Sequence, residues 1–183
     1  MLRSVDGQRG GEVLQSMLEL VWMEWKSSRF HGWTQRFAAA LIGGEATLWY
    51  NQILDKPPLI GAPTGWHQDA ALLGTEDGER LISCWMPLHA VGVDEGCMHF
   101  LDEGHQDGIL DHPRLGALPC SRGFIELSAG RVVACPLPAG GVTFHHGLTP
   151  HMTRANRSPR WRQAVIQRFF IGDPPGSRRT AST

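Results

Sequence analysis

Two kinds of hydrophobic spacing divide this chain near residue 45. Across residues 12–25 the apolar side chains Val13, Met17, Leu18, Val21, Trp22 and Trp25 recur at the intervals of a helix face. A second helix is expected next, capped by Thr34 and ended by Gly43 and Gly44, which can adopt the left-handed turn that closes helices. From Ala46 onward the pattern shortens. β-Rich runs at 46–54, 66–72, 81–88, 97–101, 123–127, 131–135, 142–146 and 161–171 are separated by Gly, Pro and Asp turns. Eight short strands at this spacing predict a mainly β fold with flanking α: a double-stranded β-helix (jelly roll, cupin-like) with N-terminal helices on one face. Residues 1–172 read as a single domain. Residues 173–183, with Pro174, Pro175, Gly176 and paired arginines, read as a disordered tail.

Composition narrows the function classes. The chain has 183 residues, 42% of them hydrophobic, enough for one sizeable core. A formal net charge of −1 gives no global attraction to nucleic acid or an anionic membrane. The arginines near the C-terminus form no helical stripe and have no aromatic interleaving, so no nucleic-acid partner is expected. Residues 1–11 lack the basic and apolar regions of a signal peptide, and no apolar run approaches a membrane span. A cytoplasmic location is the default expectation. Cys84, Cys97, Cys120 and Cys135 lack Cys-x-x-Cys spacing and read as reduced residues, not as a disulfide or zinc set.

The chemistry-bearing residues are His67, Asp69, His151 and Arg162. A facial iron site needs two imidazoles and one carboxylate, with the remaining positions open. On an extended strand residues i and i+2 project to one side, so His67 and Asp69 could bind one ion from one strand end. The tripeptide alone is weak: nine His and nine Asp give roughly 0.4 such pairs by chance, and His105-Gln106-Asp107 repeats it. That second copy lies between Gly104 and Gly108 in a polar stretch that reads as a turn without fixed geometry. The third ligand must come from a distant strand; of His145, His146 and His151, the last is preferred because Arg162 follows it by eleven positions. If residues 156–159 turn between two antiparallel strands, His151 and Arg162 fall on neighbouring strands of one sheet. A guanidinium there could hold a carboxylate through two parallel hydrogen bonds. Taken singly, Arg154, Arg157, Arg160, Arg162 and Arg168 read as solubilising surface charges. His89, His99 and His112 read as structural, and His145 and His146 as possible outer partners of a ligand.

These residues, with Lys56-Pro57-Pro58, Trp66-His67-Gln68-Asp69, Trp85, Glu95-Gly96-Cys97-Met98, Glu103-Gly104-His105 and Gly140-Gly141-Val142, resemble the phytanoyl-CoA dioxygenase family of Fe(II)/2-oxoglutarate-dependent oxygenases over residues 47–170. The resemblance implies iron ligands His67, Asp69 and His151, a 2-oxoglutarate carboxylate held by Arg162, and further cosubstrate contacts at Gln52, Trp85 and Thr153. It places His105 in a turn histidine that is not a ligand. It also implies hydroxylation of an unactivated C–H bond in a small molecule (an acyl-CoA, an osmolyte or a secondary metabolite), with 2-oxoglutarate and dioxygen consumed and succinate and CO2 released. Asp69 favours hydroxylation over halogenation, because related halogenases lack a carboxylate at that position. Gly141 and Asp102-Glu103 depart from the family pattern without removing a ligand, and the helical part before Thr47 is shorter than usual. Two other readings use the same residues: a catalytically silent or truncated member acting as a binding module, and a cupin-like metalloprotein that does not use 2-oxoglutarate. Substrate identity and oligomeric state are not encoded in any motif.

Overall fold

The computed structural model describes residues 2–3, 13–18, 22–113, 124–127 and 130–176. Among them, ten strands form two antiparallel sheets. The strands are β1 (Leu2–Arg3), β2 (Leu14–Ser16), β3 (Ala46–Lys56), β4 (Thr64–His67), β5 (Leu81–Pro87), β6 (Met98–Leu101), β7 (Val132–Cys135), β8 (Thr143–His146), β9 (His151–Thr153) and β10 (Arg162–Ile171). The six-stranded sheet runs β1-β2-β3-β10-β5-β8, and the four-stranded sheet runs β4-β9-β6-β7. From β3 to β10 the chain crosses between sheets at every connection except the one joining β6 to β7. That alternation is the jelly roll expected from the strand spacing, and it brings residues distant in sequence into one interior.

The six-stranded sheet is apolar on both faces for different reasons. Its outer face is covered by α1 (Arg29–Ile42), whose Ala38 packs with Ala46, Ile82, Cys84 and Phe169. The buried Thr34 hydroxyl donates to Gln167 Oε1 at 2.6 Å, tying helix to sheet. Its inner face packs Trp85, Ala164 and Ile166 against Met98 of the other sheet, with Val91 and Cys97. The two sides of a strand thus serve two contacts, as the two-residue period of β10 requires.

Several local expectations are corrected. Residues 12–25 do not form one helix: β2 pairs with β3 at the sheet margin, Met23–Ser27 is a 3-10 helix, and residues 12 and 19–21 lie outside the described set. Pairing with β3 overrides the weak helical period. α1 starts earlier than Thr34, because Ser28 Oγ accepts from His31 N at 3.1 Å and caps it; its end at Gly43, with φ 78°, agrees. The strand expected over 66–72 stops at His67, and Asp69–Leu73 forms the short helix α2, closed by Gly74 at φ 70°. Ala70, Ala71, Leu72 and Leu73 are good helix formers, and Gly74 supplies the left-handed cap. Residues 124–127 form no strand; only Ile125 N bonds Trp66 O, at 2.8 Å. Residue 123 and residues 177–183 of the expected tail lie outside the described set. Cys84 and Cys97 are buried free thiols and Cys135 a half-buried one, while Cys120 is outside the described residues. No helix among the described residues is long and apolar enough to cross a membrane.

One glycine is required by geometry. Gly96 has φ 79°, and a Cβ there would collide with the Arg154 carbonyl oxygen. Gly96→Ala is expected to destabilise the protein by more than about 1 kcal/mol, read as a lower thermal midpoint. An unchanged midpoint would show that the 93–96 turn can move aside.

Candidate metal centre

His67 and His151 occupy paired positions on β4 and β9. In each ring Nδ1 faces the carbonyl two residues back, His67 to Gly65 at 2.8 Å and His151 to Thr149 at 2.9 Å. A carbonyl only accepts, so each Nδ1 carries the proton and each Nε2 presents a lone pair. Both Nε2 atoms lie 3.9 Å from one atom, Asp69 Oδ1. The candidate ligand atoms of His67, Asp69 and His151 all lie within 4.8 Å of one another, and all three residues are buried. Burial pushes both imidazoles below the ordinary histidine range; His151 goes well below it, since His67 and His145 add to burial while Asp69 opposes. Neutral imidazoles are the form a metal requires.

Asp69 reaches this point from the start of α2, two residues beyond the strand end that carries His67. Its carboxylate meets a row of polar side chains running across the six-stranded sheet. Arg168 pairs in register with Ser83, and Ser83 with His145, so their side chains share one face. Arg168 Nη2 donates to Asp69 Oδ1 at 2.9 Å, Ser83 Oγ donates to Oδ2 at 2.5 Å, and His145 Nε2 lies 3.3 Å from Oδ2. Burial alone would raise the Asp69 carboxyl. Arg168, then His145 and His151, outweigh it and hold the group well below the usual carboxylate range. The charge is therefore present before any metal arrives.

Arg162 comes from the opposite sheet to His151, which corrects the expectation that they share one. Strand β9 belongs to the four-stranded sheet and β10 to the six-stranded one. Residues 154–161 cross between sheets instead of forming a hairpin: Asn156 bridges to Gly61, and its Oδ1 accepts from Ser158 N at 3.1 Å. Arg162 is fully buried, with its guanidinium carbon 5.8 Å from the Trp85 ring centroid. One weak bond, Nη1 to Leu54 O at 3.4 Å, leaves Nε and Nη2 without a protein partner. Burial lowers its pKa to about 10, so it stays cationic at neutral pH, with Asp55 acting in the opposite direction. Gln52 and Trp85 both pair in register with Ile166, which puts them on the inner face. Thr153 is buried, and Lys56 Nζ donates to its Oγ1 at 2.7 Å.

The expected site residues thus converge on one interior, and the second His-x-Asp pair stays outside it. His105 sits in the 3-10 turn Gly104–Asp107, is exposed, and has its ring 5.6 Å from the tilted His146 ring. Of the two adjacent histidines His145 touches Asp69, while His146 Nδ1 accepts from Leu148 N at 3.2 Å. His112 is structural in a specific way: its Nε2 accepts from Gln68 N at 3.1 Å, between the two candidate ligands of the box. Gln68 itself donates to Gly108 O and Leu148 O at 2.7 and 2.6 Å, and accepts from Leu110 N at 2.8 Å. It pins the flanking loops. Arg168, Ser83 and Gln68 were not expected from the sequence. A signal existed for Arg168: it lies six positions after Arg162 on the same face of an apolar strand, where a charge needs a partner.

Several buried polar atoms lack protein partners: Arg162 Nε and Nη2, Arg168 Nε and Nη1, His145 Nδ1 and Thr143 Oγ1. Buried polar groups are normally paired. Their placement on inward strand positions suits a polar ligand with several acceptor oxygens, beside three potential metal ligands.

Comparison with known proteins agrees with this geometry. The model of the family described as Phytanoyl-CoA dioxygenase (PhyH) matches residues 13–164. Phytanoyl-CoA dioxygenase domain-containing protein 1 of Bos taurus is 28% identical over 129 residues, which cover 67% of this chain and 43% of that protein. The chain therefore spans under half the length of the curated relatives it matches first. Among solved structures, EvdO2 from Micromonospora carbonacea var. aurantiaca complexed with 2-oxoglutarate has a TM-score of 0.72 at 28% identity, covering 95% of this chain and 79% of that one. The epimerase SnoN from nogalamycin biosynthesis, in complex with Fe3+, alpha ketoglutarate and nogalamycin RO, shares the fold with a TM-score of 0.75 at 24% identity, covering 100% of this chain and 77% of that one.

Proposed function

Since the chain belongs to the phytanoyl-CoA dioxygenase family, we propose that it is an Fe(II)/2-oxoglutarate-dependent oxygenase that hydroxylates an unactivated C–H bond of a small molecule. The observation that carries this reading is the meeting of two free Nε2 lone pairs and Asp69 Oδ1 within 4.8 Å. In this reading His67, Asp69 and His151 hold the iron, and Arg162 binds the far carboxylate of 2-oxoglutarate with Nε and Nη2. Gln52, Trp85 and Thr153 line the cosubstrate's path, with the Trp85 ring beside the guanidinium. When bound, the ferrous ion and 2-oxoglutarate supply, with dioxygen, an oxidant for C–H bonds, and succinate and CO2 are released. The chain's own residues bind and orient, and the apolar core around Met98, Ala164 and Ile166 excludes water.

A substrate has a place to approach. A cavity of about 510 Å³ is lined by Leu101, Leu110, Phe124 and Ile125, with Asp107 and Asp111 at its polar side. The ring of Phe124, one of its lining residues, lies 6.0 Å from that of His67. The volume suits a small molecule.

The test is succinate release from 2-oxoglutarate by anaerobically Fe(II)-loaded protein exposed to air with a panel of acyl-CoA, osmolyte and secondary-metabolite substrates. Substrate-stimulated succinate is expected; metal binding without it would favour a silent binding module. Arg162→Ala is expected to raise KM for 2-oxoglutarate by roughly 10- to 150-fold, the loss of about 1.5–3 kcal/mol from charged hydrogen bonds. Activity left intact in Arg162→Ala, with no requirement for 2-oxoglutarate, would favour a cupin-like metalloprotein that does not use the oxoacid.

A further inference from the structure

The Lys56-Pro57-Pro58 motif places a buried lysine beside the candidate carboxylate-binding arginine. Lys56 ends β3 and pairs in register with Arg162 of β10, so the two basic side chains stand side by side on the inner face. Both are fully buried. Among the described residues neither forms an ion pair: Asp55 points to the other face, where its backbone pairs with Gln163. Lys56 leaves its own sheet and crosses the interior, donating to Thr153 Oγ1 at 2.7 Å and Arg154 O at 2.9 Å. Its backbone is held still, because Asn156 Nδ2 donates to Lys56 O and Pro57 O, both at 3.1 Å. Burial, and then the neighbouring Arg162, push the amine down to about 6, so at neutral pH it stands largely uncharged beside the Arg162 cation.

We propose that Lys56 is a positioning residue for the far carboxylate of the cosubstrate, making this end of the chamber selective for dicarboxylate 2-oxoacids. The inference rests on the reading of the site as a 2-oxoglutarate site. A hydroxyl that accepts from Lys56 has its own proton free to donate elsewhere, and Thr153 lies on the strand that begins with His151. Thr153 would then present an O–H, and Arg162 two N–H groups, to one carboxylate. The incoming anion would also supply the counter-charge that Arg162 lacks and favour the protonated form of the Lys56 amine. A purely structural lysine would tether β3 to β9 and make no distinction between ligands.

The test compares anaerobic binding of 2-oxoglutarate and of 2-oxobutyrate, which lacks the far carboxylate, to Co(II)-loaded protein by titration calorimetry. Wild type is expected to prefer 2-oxoglutarate strongly. Lys56→Met should reduce that preference by roughly tenfold or more while leaving 2-oxobutyrate affinity unchanged. Lys56→Arg should restore part of it. Thr153→Val, which keeps Lys56 and the chain path, should lose preference too, and the double variant should lose little more than either alone. A lower melting temperature in Lys56→Met with the wild-type preference intact would overturn the proposal and leave Lys56 a structural tether. Wild type that binds neither oxoacid would overturn the 2-oxoglutarate reading itself, a result distinct from loss of preference.

Discussion

Asp69→Ala is expected to leave a protein that neither retains iron nor releases succinate. The carboxylate is one of three ligand atoms within 4.8 Å, and it supplies the only negative charge in that group. Its removal has a second effect. Arg168 Nη2 bonds Asp69 Oδ1 at 2.9 Å, so the variant leaves a buried guanidinium beside two neutral imidazoles. That charge repels a dication. Loss of an outer partner alone costs about 10- to 100-fold in metal affinity, and loss of a ligand together with the unmasked cation should exceed the upper figure. His67→Ala should act similarly, without exposing Arg168. His105→Ala should bind metal as wild type does, since His105 lies on an exposed turn against His146. Titration of the three variants with Co(II), followed by its absorption spectrum, checks this. Loss of metal from His105→Ala would overturn the choice between the two His-Gln-Asp boxes.

The jelly roll was legible because strand spacing and turn residues are local properties, and eight of them in succession leave few architectures. The positions of His67, Asp69, His151 and Arg162 were legible for a different reason: ligand types are few, and the family resemblance ordered them. What the residues could not reveal was which sheet each strand joins. The turn at 156–159 looked like a hairpin because hairpins and sheet crossings use the same turn residues. The difference lies in a long-range choice, Asn156 bridging to Gly61, that no window of sequence contains. The reading of residues 66–72 failed locally: His67 and Asp69 do converge, but through a strand end followed by a helix start, not through the two-residue period of one strand. Arg168 stayed hidden because its partner is 99 residues away.

That pairing gives the second large effect. In metal-free protein, Arg168→Met should lower stability by about 3–5 kcal/mol, the range for a buried pair broken on one side. For a chain of this size the thermal midpoint would fall by roughly 10 °C or more. The cause would be Asp69, left charged at 1% exposure with only Ser83 and His145 to hold it. The sign of the pH dependence separates this cause from lost packing. In wild type the Asp69 carboxyl is held below its unfolded value, so its contribution is present above about pH 4 and is lost as pH falls through the lower folded value. Without Arg168, burial becomes the main influence and the folded value rises above the unfolded one. Asp69 can then take up a proton and become a neutral buried acid, so the deficit of the variant is full at neutral pH and shrinks on acidification. Both proteins also lose stability below about pH 6.5, where the lowered His67 and His151 bind fewer protons than the unfolded chain, a loss of the same sign in each. Thermal melts of wild type and Arg168→Met in chelator at pH 7 and pH 5 should therefore converge. Arg168→Met/Asp69→Asn, which removes both charges, should recover much of the loss at pH 7. A deficit equal at both pH values, and unrelieved in the double variant, would show that Arg168 acts through packing and that the charge on Asp69 is balanced by its other neighbours.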